Sequence, residues 1–62
     1  MRLRRLREAQ GLSIETLAEK AGVSARQLIR VEHGTTSATV TWVLMIAEAL
    51  GVHPADLFRD SG

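Results

Sequence analysis

Arg26 and Arg30 stand four residues apart with Gln27 between them, and Ser24 precedes the group. At helical spacing, residues four apart share one side, so two guanidinium groups would be presented together. A guanidinium donates in a fixed fork, which suits phosphate oxygens or the O6 and N7 pair of guanine. The hydroxyls of Ser24 and of Thr35, Thr36 and Ser37 further on add weaker donors. This is hydrogen-bonding and charge chemistry. Side chains for covalent or metal chemistry are sparse. There is no cysteine, hence no thiolate nucleophile and no disulfide. His33 and His53 lie twenty residues apart among scattered carboxylates, which is not a metal-ligand spacing. No serine has a histidine and an acid placed to activate it. Neither a phosphate-cradling glycine loop nor a dinucleotide fingerprint occurs. The expectation is a non-enzyme without a cofactor.

The elements that must hold the arginines follow from the stretch Leu12 to Gly34. Ile14, Leu17, Ala18 and Ala21 repeat at helical spacing, and Val23, Leu28 and Val31 do so again. Ser13 and Ser24 precede the two runs as N-caps, and Gln27 stands at the capping-box position after Ser24. Gly22 supplies the left-handed residue that ends the first run, and Ala18 is small enough for close approach of the two helices. Two helices joined by a tight glycine turn make a helix-turn-helix. In the second of them Ala25, Arg26, Gln27, Ile29 and Arg30 point outward, while Leu28 and Val31 face the core. Ala25 and Ile29 offer only apolar atoms, suited to a thymine methyl group.

With these residues in view, the chain resembles the lambda-repressor-like DNA-binding domains of Cro and phage-repressor type. The likeness covers Leu6-Arg7, Gly11-Leu12, Glu32-His33-Gly34, Ala47 to Val52 and Asp56-Leu57, nearly the whole chain. It implies an all-α, five-helix fold over residues 1–62 that binds double-stranded DNA through its third helix. It also implies a bacterial or phage transcriptional regulator, most often a repressor, and an ion pair between Arg7 and Glu32. Two departures stand out. Family members often begin the second helix with a glutamine that touches phosphate, where this chain has Ile14. The Ser13 hydroxyl or helix-start N–H groups would have to supply that contact. The loop after Gly34 carries Thr35, Thr36 and Ser37 where a lysine or arginine is common. Hydroxyls still bind phosphate, but the missing charge lowers affinity and flattens its salt dependence.

Helices are expected at about 1–10, 14–21, 24–33, 40–50 and 54–58, with Thr39 capping the fourth and Pro54 opening the fifth. Net charge is only +1, but its distribution is uneven. Residues 1–30 hold seven basic and three acidic side chains, and residues 31–62 hold one basic and four acidic. One basic end is what phosphate binding favours. The fourth helix is apolar on more than one side. Val40, Val43, Leu44, Ala47 and Leu50 form its expected core stripe, with Ile46 beside it. Trp42, Met45 and Ala49 form a second stripe that 62 residues are too few to cover, so these three, with Phe58, are expected at a dimer or partner interface. Leu57 should plug the core. A symmetric homodimer would read an inverted-repeat operator.

No apolar run approaches the ~20 residues of a membrane span, and residues 1–10 lack the apolar core of a secretory signal, so a cytoplasmic protein is expected. Other readings remain beside the repressor. An antitoxin or a restriction–modification controller would use the same fold, and a helical protein-interaction module without DNA binding would retain only its shape.

Overall fold

The computed structural model describes residues 2–58. Five helices follow one another: α1 (Leu3–Ala9), α2 (Ile14–Ala21), α3 (Ala25–Glu32), α4 (Val40–Leu50) and α5 (Pro54–Leu57). The described residues contain no strand. The elements match those read from the sequence, with small shifts at their ends. Met1 lies outside the described residues, Ser24 and His33 flank α3 as caps, and Phe58 caps α5.

Local chemistry sets these boundaries. The hydroxyl oxygens of Ser13, Ser24 and Thr39 accept the N–H groups of Thr16, Gln27 and Trp42 at 3.1, 3.3 and 3.1 Å. Each satisfies one otherwise unpaired N–H of a first turn. At α5 the cap is His53, whose Nδ1 accepts the Ala55 N–H at 3.0 Å. Gly22 ends α2 at φ +73°, and the Val23 N–H returns to the Ala18 carbonyl at 2.9 Å. This closure aims α3 across α2, and only glycine reaches that backbone conformation without strain.

Leu3, Leu17, Leu28, Ile46 and Leu57, from five different helices, are the largest fully buried side chains. α4 is the central strut: α2 packs on it, and so does α5. The ends are tied down by backbone acceptors. Gln10 Nε2 donates to the Leu50 carbonyl at 2.6 Å, and the Arg2 N–H donates to the Leu57 carbonyl at 2.9 Å.

The orientation of α4 corrects the sequence reading. Its buried residues are Trp42, Val43, Ile46, Ala47, Ala49 and Leu50. Trp42 and Ala49, expected on an uncovered stripe, are only 6% and 8% exposed. Val40 and Leu44, expected in the core, are 76% and 50% exposed. At 100° per residue the buried positions fill one continuous arc, and Val40, Thr41, Leu44, Met45 and Glu48 fill the other. A helix gripped by neighbours on two sides needs an apolar face wider than one stripe, and the large Trp42 ring takes the place assigned to Val40 and Leu44. The rotation leaves one burden, because the Trp42 indole N–H is buried without a partner among the described residues. Such an orphan costs about 1–3 kcal/mol. Met45 and Phe58 are exposed, so Phe58 does not close the core. In α1, Leu3 is buried and Leu6 half-buried, while Ala9 faces solvent.

Candidate nucleic-acid interface

α3 is buried on the side of Leu28 and Val31, and its other side is open. Arg26 and Arg30 are exposed there, with Ala25 and Gln27 half-buried. Ser24, Arg26, Gln27, Arg30 and Thr36 line one open depression of about 310 Å³. The loop after α3 therefore folds back beside the outward arginines. Neither Arg26 nor Arg30 makes an ion pair among the described residues. Their i±4 neighbours, Gly22, Arg26, Arg30 and Gly34, include no acid. Two guanidinium forks stand unspent at one site.

The hydroxyls expected to serve the DNA backbone fall into two groups. Thr35 is engaged inward: its N–H and its Oγ1 both donate to the Arg30 carbonyl at 3.0 Å, closing the end of α3 after the left-handed Gly34. Ser13 is engaged too. Its Oγ accepts the Thr16 N–H and pairs with Thr16 Oγ1 at 2.9 Å, so the two hydroxyls have one proton to spare between them. Ser24 accepts from Gln27 and keeps its own proton free. Thr36 and Ser37 are exposed and make no hydrogen bond among the described residues. Ser24, Thr36 and Ser37 therefore each keep a hydroxyl proton free of any partner among the described residues.

Arg7 is used differently. Its Nε and Nη2 donate to the Glu32 Oε2 and Oε1 at 2.7 and 3.0 Å, and its Nη1 donates to the Leu12 carbonyl at 2.8 Å. Both side chains of the pair are largely enclosed, so this bidentate clasp joins α1, the Leu12 turn and the end of α3. The Glu32 hydrogen bonds hold the Arg7 guanidinium above its already high ordinary pKa, outweighing the opposite push of burial, so its charge is fixed across neutral pH.

A second depression of about 300 Å³ lies on the other flank of α3, lined by Arg4, Arg7, Ile14, Ile29, Glu32 and His33. Ile29, grouped by sequence with Arg26 and Arg30, opens into this one. Arg4 and Ile14 were absent from the expected base-reading and backbone sets. The signal for Arg4 is its spacing: it stands one helical turn before Arg7 and so shares its side of α1. Arg4 pairs only loosely with Glu8, at 3.4 Å on an exposed surface. The residues expected at a second-chain contact are not all uncovered. Trp42 and Ala49 are core, while Met45 and Phe58 are exposed.

Two short helices joined at a left-handed glycine, the second with an open side that carries two arginines, make a helix-turn-helix. Sequence comparison narrows this. A family model described as helix-turn-helix matches residues 3–57, and the chain belongs to that XRE and lambda-repressor-like family. It is a family of DNA-binding regulators and not of enzymes. No curated protein and no solved structure matches the chain. Among the described residues no helix is long and apolar enough to cross a membrane.

Proposed function

We propose that this chain is a transcriptional repressor of bacterial or phage type, acting in the cytoplasm as a symmetric homodimer on an inverted-repeat operator. The observation that carries the reading is the single depression shared by Ser24, Arg26, Gln27, Arg30 and Thr36. In that role Arg26 and Arg30 donate to guanine O6 and N7, each contributing about 1–3 kcal/mol of discrimination. Gln27 and Ala25 flank them, and Ser24, Thr36 and Ser37 hold phosphates that fix the register. Arg7 and Glu32 act structurally, by bracing α3 against α1.

The homodimer rests on apolar surface that the chain leaves uncovered. Val40 and Leu44 on α4, with Phe58 after α5, are large and exposed, and none of them lines the α3 depressions. A two-fold pair would set its reading helices in successive major grooves about 34–36 Å apart. The small phosphate footprint of one module favours such pairing, since linked half-sites gain effective concentration. The same patch would support an antitoxin if its cover were a different protein.

Selection from a random duplex pool, at low and moderate salt, tests the proposal. An enriched inverted repeat containing G·C pairs is the expected result. Enrichment of a single half-site would remove the dimer and keep the reader. Absence of enrichment at low salt would overturn the DNA-reading role in favour of a protein-interaction module.

A further inference from the structure

The two depressions beside α3 differ in chemistry. One is a ring of donors. The other includes an apolar pair in its lining: Ile14 from the first turn of α2 and Ile29 from α3, which is 41% exposed. Ile14 packs partly against the core with its remaining surface turned into this notch. We propose that the Ile14–Ile29 notch seats the C5-methyl edge of a thymine, so that the start of α2 selects a base instead of anchoring a phosphate. This rests on the DNA-reading role proposed above.

Continuity with the reading surface is the first support. Ile29 lies three residues after Arg26 on the same helix, and positions three apart are neighbours on a helix surface, so the notch borders the arginine side of α3. Charge is the second. Among the described residues Glu32 is the one acid that lines the notch, and both of its oxygens are held by Arg7, which offsets the repulsion a carboxylate would offer a polyanion. Arg4 on the rim adds a cation whose Glu8 contact is loose and solvated. The third support is the ligand's own chemistry. On the major-groove edges of the four bases, the thymine C5-methyl is the one apolar group, and two branched aliphatic side chains match nothing else there.

The test starts from the best duplex of the random-pool selection. Each thymine is replaced singly by deoxyuridine, which keeps pairing and removes only the methyl group. Affinity is read by fluorescence anisotropy. One thymine per half-site should lose about fourfold on replacement, the value of one methyl-sized apolar group returned to water. In Ile29→Ala that same replacement should change affinity less than about twofold, and Ile14→Ala should behave alike. Arg26→Ala should keep the thymine sensitivity while binding more weakly overall. The proposal is overturned if every deoxyuridine duplex binds the unaltered protein equally well, which would leave the arginine readout standing. It is equally overturned if the sensitivity persists undiminished in Ile29→Ala, a surface position outside the buried core whose folding is checked by the same urea titration as the unaltered protein. Failure to select any duplex would remove the DNA-reading role and this inference together.

Discussion

α3 and α4 are both amphipathic helices of eight and eleven residues, yet one exposes its chemistry and the other hides it. α3 buries Leu28 and Val31 and leaves in solvent two arginines that make no ion pair among the described residues. α4 buries six residues against α2 and α5, including an indole whose N–H finds no acceptor among the described residues. A helix with a narrow buried stripe can spend most of its surface on a ligand. A helix with two neighbours spends its surface on the fold, and what remains outside is what the core rejected, here Val40 and Leu44.

Substitutions on the two helices should therefore separate into stability effects and recognition effects. The largest is expected from Trp42→Ala, which should cost about 3–5 kcal/mol of unfolding free energy by urea titration, as large aromatic deletions from cores do. A loss below about 1 kcal/mol would mean that Trp42 is not core. Arg26→Ala should do the reverse. It should leave the urea midpoint nearly unchanged and weaken operator binding by about 1–3 kcal/mol, with discrimination relaxed at one guanine. Leu44→Ser, on the rejected face of α4, should alter stability by no more than about 0.5 kcal/mol. It should move the proposed dimer to monomer in sedimentation, and an unchanged species would remove Leu44 from the interface. The smallest effect is expected from Thr36→Lys. A new cation on the reading loop should steepen the slope of log K against log salt by about 0.9, leaving sequence preference intact. An unchanged slope would place Thr36 away from phosphate.

The same contrast explains what the sequence made legible. Ser13, Ser24 and Thr39 announce their helices because a hydroxyl before an apolar repeat has one dominant use. The outward set of α3 was readable because Leu28 and Val31 define a single stripe. α4 was not, because an apolar sequence of eleven residues offers several stripes, and neighbours distant in sequence decide among them. His53 escaped notice as a cap because histidine rarely serves as one, yet its Nδ1 is a competent acceptor. Two features of the site depend on tertiary geometry alone: the return of Thr36 beside Arg26 and Arg30, and the meeting of Ile14 with Ile29. The bidentate form of the Arg7–Glu32 contact and its third bond to the Leu12 carbonyl belong to the same class.

The central claim is that Arg26 and Arg30 read guanine edges. The most direct measurement replaces each operator guanine singly by 7-deazaguanine, which deletes the N7 acceptor and nothing else, and compares affinities for the unaltered protein and for Arg26→Ala and Arg30→Ala. Loss of one hydrogen bond at a guanine that meets an arginine should weaken binding by roughly three- to tenfold. That penalty should vanish in the matching alanine variant and only there. Equal binding of all substituted duplexes by the unaltered protein would contradict the claim and move the arginines from the bases to the phosphates.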